Sequence, residues 1–368
     1  MALPLNRLKN DLHILLTITG LLSLIGLVFI YSSSSIYALE KFGSAHYFLV
    51  RQFLYLVPSL LGFLVFALIP IEFFKKWSPL LFFGALILTS LTLIPSLGVK
   101  MHGSNRWLLL GTFSFQPSEL LKLFLFMYIG AILEKKQHKL TSLIHLYLPL
   151  LVVLGATFLI LLKQPDFGSV VTIFVTSLAL FFVAECKMIY LVVTGLCSLP
   201  VILFLIFTKA YRLNRILIFI NPWSDPKGRG FQIIQSLIAI GSGQFWGVGI
   251  SQSRQKFFYL PMQHTDFIFP IIAEETGFIG SLIIISLYLS FCFFGLRLAL
   301  SLDRPFTFFT TLAFVVFISL QAVINIMVTA GLLPTKGLGL PFISYGGTAL
   351  VCLWCMIGFM VNSARSVN

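Results

Sequence analysis

NPWSDPKGRGFQIIQSLIAIGSGQFWGVGISQSRQKFFYLPMQHTDFIFPIIAEE, residues 221–275, is the one long polar interruption in an otherwise apolar chain of 368 residues. It is dense in Gly, Pro, Gln and Ser, and His264-Thr265-Asp266 stand where the next apolar run begins. Outward from it in both directions lie runs at 13–31, 53–69, 77–94, 117–133, 146–162, 167–184 and 188–207, then at 267–296, 306–330 and 344–361. Each is near the roughly 17–25 residues that a hydrocarbon core demands of a helix. The expected fold is therefore an all-α polytopic membrane protein with ten transmembrane helices. It forms one membrane domain over 1–368, with a long extracytoplasmic loop at 209–265 between helices 7 and 8. Composition agrees, since 58% of residues are hydrophobic and 10% charged, against roughly 25% charged in soluble domains.

The excess of 25 basic over 12 acidic residues fits loop positioning and attraction to membrane lipids. There is no basic stripe, so nucleic acid is not expected as a partner. Residues 1–12 carry Arg7 and Lys9 before the first apolar run. That run is too long for a signal peptide and no small-residue cleavage site follows, so it is expected to stay as the first span. The five cysteines lie in or beside apolar runs, which points to core packing.

With the N-terminus inside, inner segments hold Arg7, Lys9, Lys75, Lys76, Lys135, Lys136, Lys139, Lys187, Arg297, Arg304 and Arg365. The short outer ones hold Lys41, Arg51, Lys100, Arg106, Lys163 and Lys336. Because basic residues collect on the cytoplasmic side, both termini are expected there, in a chain seated in the cytoplasmic (inner) membrane. The polar clusters then fall outside: Arg51, residues 103–122, Gln164-Pro165-Asp166, the long loop to Asp266, and residues 334–345. Charges at a membrane edge face a cavity and pair with one another or with a ligand. The working site should open outward.

Several residues could do chemistry there. Asn105-Arg106-Trp107 precedes Gln116-Pro117-Ser118-Glu119 and Lys122. Pro117 and Ser118 suit a helix start, and Glu119 and Lys122, three apart, share a face; a cap with one ion pair and a functional pair of charges both fit. Asp166 in QPDFGS either caps the sixth helix or pairs with Arg51, Arg106 or Lys122. Lys336 adds a cation at the rim or snorkels. In the long loop the glycines read as bends and not as a dinucleotide fingerprint, since no strand precedes them. Residues 231–240 are expected to form a short helix lying on the membrane, with Arg254 and Lys256 meeting lipid phosphate or water. Asp266 is the sharpest candidate. A carboxylate beside His264 and Thr265 in a partly desolvated cleft can accept a proton from a substrate hydroxyl, or it can cap the eighth span. Glu274 and Glu275 follow in a run longer than one span needs, so its first turns are expected to line the outer cavity. His264 has no His or Cys at helical spacing, so zinc is not expected, and metal ligands stay unassigned.

Taken together, RQF at 51–53, NRW at 105–107, QPSE at 116–119, QPDFGS at 164–169, NPWSDPKGRGFQIIQSLIAIGSG, SRQKFFYLP, HTDFIF and LLPTKGLGLPFISYGGT resemble the SEDS family of shape, elongation, division and sporulation proteins. The likeness runs from the first span to the last. PTKGLGLPFISYGG looks more like the division branch, FtsW-type, than the elongation branch, RodA-type. The resemblance implies a ten-helix peptidoglycan glycosyltransferase that polymerises lipid II into glycan strands at the outer face of the cytoplasmic membrane during septal synthesis. It implies a class B penicillin-binding protein as transpeptidase partner, with other division proteins alongside. By motif it implies Asp266 as catalytic base and Arg51, Arg106, Glu119, Lys122 and Asp166 as cavity residues; Lys336 joins them from the residue reading. Mg2+ or Mn2+ is the expected cofactor at the leaving diphosphate. Where the family commonly has Glu after the proline of YLP, Met262-Gln263 follow Pro261 here. Two other readings compete, a lipid II flippase and a non-catalytic scaffold for a transpeptidase. A flippase should also show an inward polar cluster, whereas the inner side carries mostly Lys and Arg near span ends.

Overall fold

The computed structural model describes residues 5–101, 104–111, 113–208, 210–256 and 261–366. Residues 257–260 of the SRQKFFYLP motif, Gly103, and residue 209 at the start of the long loop lie outside the described residues. Among those described, helices α1 (Leu5–Phe42), α2 (Tyr47–Leu68), α3 (Ile71–Leu91), α4 (Pro117–Lys135), α5 (Leu148–Lys163), α6 (Phe167–Val183) and α7 (Met188–Phe207) lead to the loop. Within it stand α8 (Ala210–Ile220) and α9 (Phe231–Ser242), and after it come α10 (Ile268–Leu300), α11 (Pro305–Thr329) and α12 (Gly347–Arg365).

Each apolar run in the sequence lies on a separate helix of α1–α7 and α10–α12, overrunning the helix ends by at most three residues. Among the described residues seven helical stretches are long and apolar enough to cross a bilayer, namely those of α1, α2, Leu143–Lys163, α7, α10, α11 and α12. The chain is a multi-pass membrane protein. The other three fall short for local reasons. Helix α3 opens with Glu72, Lys75 and Lys76, α4 carries charges at both ends, and α6 has 17 residues. Helix α4 is buried on nearly every side, with Leu121, Leu123, Leu125, Phe126 and Met127 fully enclosed, so protein and not lipid surrounds it.

Burial sorts the helices by neighbour. Helix α7 buries only Leu191 among its described residues, leaving leucines, valines and phenylalanines to face lipid. Helix α12 is enclosed along almost its whole length. It packs along α2 at small residues, where a methyl on Gly358 would stand 2.3 Å from the Phe63 carbonyl oxygen; close backbone approach at small residues is how helices associate without a hydrophobic drive from water. Cys352 and Cys355, three apart on α12, are buried free thiols, whereas Cys197 on α7 is exposed.

The loop between α3 and α4 departs from an all-helical chain. It forms a small antiparallel sheet, β1 (Gly98–Met101), β2 (Ser104–Leu110) and β3 (Phe113–Phe115), in that order. Gly98 pairs with Leu108 and Leu108 with Phe115, with a bulge between Val99 and Lys100. This sheet holds Arg106 on its central strand.

Three expectations about the long loop and the start of α10 are corrected. Helix α9 does not simply lie on the membrane: Ile233, Ile234, Ser236 and Ala239 are buried, and the Ser236 hydroxyl donates to the Thr329 carbonyl of α11 at 2.6 Å. Glu274 and Glu275 do not line an open cavity. The Ser32 hydroxyl of α1 donates its one hydrogen between the two Glu275 carboxylate oxygens, at 2.6 and 2.7 Å, and Glu275 lies 3.9 Å from the Lys256 ammonium. Glu274 accepts from the Ser253 hydroxyl and the Arg254 amide. Lys256 is therefore buried in an ion pair and does not meet lipid phosphate or water. A buried charge persists only when paired and hydrogen-bonded, and here the pairing ties the loop to α1 and α10.

Helix α10 is broken where the sequence shows no break. Gly277 sits at φ 68°, ψ −162°, a backbone region open essentially to glycine alone. The hydrogen bonds lost at the break are recovered from the loop: the Phe278 amide donates to Gln244 at 2.8 Å, and the Val248 amide donates to Glu274 at 3.0 Å.

Candidate functional site

Asp266 lies in a turn just before α10, and its main chain is fixed from two sides. Asn325 of α11 donates its amide to the Asp266 carbonyl at 2.9 Å and to the Leu338 carbonyl at 2.6 Å. The Ser344 hydroxyl donates to the Thr265 carbonyl at 2.6 Å, and the Tyr345 amide to the His264 carbonyl at 2.9 Å. Its carboxylate is treated differently. The residue at the helix start is Phe267, with no side-chain cap, so Asp266 is not the cap that one reading of the sequence allowed. Among the described residues no donor bonds this carboxylate and no cation lies within ion-pair distance of it. Burial pushes it up to about 6, against the pull of Arg106 and Arg215 and with a small further push from Asp166. The arrangement is a positioned, uncommitted carboxylate whose pKa stands near neutrality, which a general base needs.

Arg106 reaches this neighbourhood from the central strand β2. It donates Nε to the Gln164 carbonyl at 2.9 Å and Nη2 to the Pro165 carbonyl at 2.6 Å, and its Nη1 lies 3.6 Å from Asp166. Gln164 is itself buried and anchored on α3, donating to the Thr89 carbonyl at 3.0 Å and the Thr92 hydroxyl at 2.5 Å. Asp166 does both things the sequence left open. It caps α6 through the Ser169 amide at 3.2 Å and hydroxyl at 2.8 Å, and it pairs with Arg106.

Lys336 belongs to the same region. Its ammonium sits 5.6 Å over the Phe167 ring, and burial lowers its pKa. The neighbouring Gly337 backs directly onto Asp266, where a methyl would lie 3.3 Å from the carboxylate. Arg51 packs over Tyr47 at 4.6 Å and hydrogen-bonds Tyr345, so it reaches the strand of loop that holds His264. Glu119 and Lys122 are not drawn to Asp266. They pair with each other at 2.6 Å, with Lys122 only 2% exposed and stacked 5.4 Å from the Phe317 ring.

Arg212 and Arg215 on α8 were missed in the sequence reading. Arg215 acts on Asp266 through space and donates to the Thr335 carbonyl at 3.2 Å. Arg212 donates to the Leu205 carbonyl at 2.8 Å and stacks on Phe167 at 5.6 Å, on the ring that Lys336 also meets. The signal was present: two arginines three apart followed by Ile216, Leu217 and Ile220 make an amphipathic turn pattern. It was hidden because the surrounding segment reads as loop.

No three His, Cys, Asp or Glu side chains converge among the described residues. Asp166 and Asp266 are carboxylates near one another, one of them already paired with Arg106.

Comparison with known proteins gives one consistent result. The model of the cell cycle protein family FtsW/RodA/SpoVE matches residues 12–368. A probable peptidoglycan glycosyltransferase FtsW of Geobacter sp. strain M18 is 41% identical over 358 residues, covering 97% of this chain and 98% of that protein. Stage V sporulation protein E of Bacillus subtilis strain 168 is 39% identical over 352 residues, covering 96% of each. Among solved structures, a chain from a peptidoglycan synthase complex that coordinates polymerization and crosslinking superposes with a TM-score of 0.79 at 28% identity, covering 96% of this chain and 97% of that one. The rod shape determining protein RodA of Thermus thermophilus shares the fold, with a TM-score of 0.70 at 24% identity and 96% of each chain covered.

Proposed function

The chain belongs to the SEDS family, the FtsW/RodA/SpoVE cell cycle proteins, and from that membership and the setting of Asp266 we propose that it is a peptidoglycan glycosyltransferase. It polymerises lipid II into glycan strands at the outer face of the cytoplasmic membrane, in septal synthesis during division. The observation that carries the site is the contrast at Asp266, a fixed main chain with an uncommitted carboxylate pushed up to about 6.

In the reaction, Asp266 accepts the proton of the acceptor's GlcNAc 4-hydroxyl. The freed oxygen pair attacks the donor's MurNAc anomeric carbon, and the bond from that carbon to the diphosphate breaks. Its electron pair leaves with undecaprenyl diphosphate, the anomeric centre is inverted, and the proton rests on Asp266. Charge growing on the diphosphate is met by Arg106, Arg215 and Lys336. Arg106 is held by two carbonyls and Asp166 before substrate arrives, and preorganised charge is commonly the largest catalytic contribution. Arg51 and the Glu119–Lys122 pair bind or shape the rest of the cavity. Mg2+ or Mn2+ is proposed only as an ion carried on the substrate's diphosphate, since Mg2+ usually takes one or two protein carboxylates and the rest of its ligands from phosphates and water.

A class B penicillin-binding protein is the proposed partner, joined by other division proteins. The span count is proposed as ten, α1–α7 and α10–α12, with both termini cytoplasmic. The test is glycan polymerisation from purified lipid II in liposomes with the cognate transpeptidase present. Asp266→Asn, near in shape but unable to take the proton, should lose about 10²–10⁴-fold in rate while still binding its partner. Equal polymer from both proteins would remove Asp266 as the base. Absence of polymer from an intact wild-type complex would point to the flippase or scaffold.

A further inference from the structure

We propose that residues 244–250, Gln-Phe-Trp-Gly-Val-Gly-Ile, form a membrane-surface anchor whose apolar side chains enter the headgroup and upper acyl layer of the bilayer beside α10. The leaflet is the outer one under the orientation proposed above; contact with lipid does not depend on the proposed enzymatic activity. Four side chains here point away from the protein: Trp246 is 80% exposed, Phe245 63%, Ile250 61% and Val248 43%. In a water-facing loop that pattern would be inverted. In the adjoining segment Ser253 and Lys256 point inward, with Ser253 on Glu274 and Glu275 and the Lys256 ammonium on the Ser251 carbonyl, while Ser251, Gln252 and Arg254 are exposed polar residues beside the cluster.

The segment is also built rather than loose. Its backbone completes the break in α10 through Val248 to Glu274, Gly249 to Glu275, Phe278 to Gln244 and Ile279 to Phe245. Gly247, at φ 79°, would place a methyl 2.2 Å from the Glu275 carbonyl oxygen, so the approach is too close for any side chain there. An apolar cluster held outward on a fixed backbone has little ordering entropy left to lose on burial.

Its position selects the occupant. The Phe245 ring packs 5.5 Å from that of Phe278, the first residue below the break. From Phe278 to Leu300 the helix has about the ~20 residues a hydrocarbon core requires, so Phe278 stands at the core's edge. Phe278, Leu282, Leu289 and Phe293 are exposed along that helix and face lipid. The cluster at 244–250 extends this lipid-facing stripe to the level where Trp is enriched in membrane proteins. Seated so, it sets the height of the loop that Glu274 and Glu275 hold down, and of the turn carrying Asp266, relative to lipid headgroups.

The experiment is tryptophan quenching in vesicles of phosphatidylcholine and phosphatidylglycerol. Full-length protein and its Trp246→Phe variant are compared in plain lipid, in lipid brominated near the ester end of the chain, in lipid brominated near the methyl end, and with aqueous iodide. The difference signal belongs to Trp246. It should fall by roughly half or more with bromine near the ester end, less with bromine near the methyl end, and little with iodide, as expected of an interfacial indole. Quenching by iodide with none by either brominated lipid would overturn the proposal. So would protection from iodide that appears only when the transpeptidase is co-reconstituted, which would assign the patch to a protein partner. Trp246→Tyr, which keeps an aromatic at the site, repeats the comparison if the Phe variant does not fold.

Discussion

Asp266 is half-buried, and no donor among the described residues bonds its carboxylate; that state has consequences with opposite signs for rate and stability. Its pKa is raised from 3.8 to about 6, chiefly by burial. As a base it must be ionised, so polymerisation should rise as pH increases through about 6 and level off above, falling about tenfold per unit below that value. Stability runs the other way. Between the unfolded value and about 6 the folded chain holds the proton more tightly, so this group's stabilisation is full below about 4 and is lost as pH rises through about 6. Asp266→Asn has no such titration. Its thermal midpoint should match wild type at low pH and lie above it beyond about 6, while its rate is lost. A pH series of midpoints and rates on the two proteins checks both, and a flat wild-type rate profile across pH 5–7 would contradict the base assignment. Asp266 was legible in the sequence, because a carboxylate at the mouth of an apolar run is costly and rarely idle. That it is free while Asp166 is engaged was not, since both read equally well as helix caps.

The break in α10 is the feature of an element that explains most about the outer surface. Glu274, Glu275 and Thr276 interrupt the apolar residues just before Gly277, but acidic residues are good helix formers, so the pattern still reads as one long helix. Only the loop at 244–249, which takes over the hydrogen bonds at the break, reveals why the helix stops and restarts. Gly277→Ala would put a methyl 2.4 Å from the Gly247 amide nitrogen in a conformation that L residues avoid. The expected cost is about 1–3 kcal/mol for the backbone, with more from the clash. Gly155→Ala is the matched control, since a methyl there on α5 meets nothing within 4 Å and helix propensity favours it. Thermal unfolding in detergent should show a lowered midpoint for Gly277→Ala and none for Gly155→Ala. Equal midpoints would mean that the break is not needed. The small sheet at 98–115 and helix α8 were missed for a related reason: strands of three to seven residues and an eleven-residue helix between turns give too short a period to stand out from loop.

At the scale of the whole molecule, the lipid-facing and protein-facing helices carry similar apolar residues, and what separates them is their neighbours. Helices α3, α4 and α6 join the proposed spans although none meets the length and apolarity of the other seven; in α4 the neighbouring helices enclose the Glu119–Lys122 pair, whereas Glu72 at the start of α3 is exposed. In the proposed arrangement, with α1–α7 and α10–α12 crossing, an even number of spans puts both ends on one side, and the excess of Lys and Arg in alternate loops supports the cytoplasm as that side. A cytoplasm-dependent fluorescent protein fused to the C-terminus should glow. Alkaline phosphatase inserted at Lys227, in an exposed turn, should be active, since it folds only outside. The reverse pattern would overturn the orientation, and with it the outward-facing site.

The sequence alone determined that this is a membrane protein of long apolar helices, where its polar clusters lie, and which carboxylate to examine first. Those properties are local or additive: hydropathy over some twenty residues, the excess of Lys and Arg in alternate loops, and the residue types at the ends of runs. Only the tertiary structure decided which charges meet. Arg106 arrives at Asp166 from a strand 59 residues before Pro165, Arg215 reaches the Asp266 region from a helix inside an apparent loop, and Glu275 closes on Ser32 across 243 residues. Pairings of that kind are set by how helices pack and where a chain can return on itself, and a charge in a low-dielectric interior is defined by the partner it finds there.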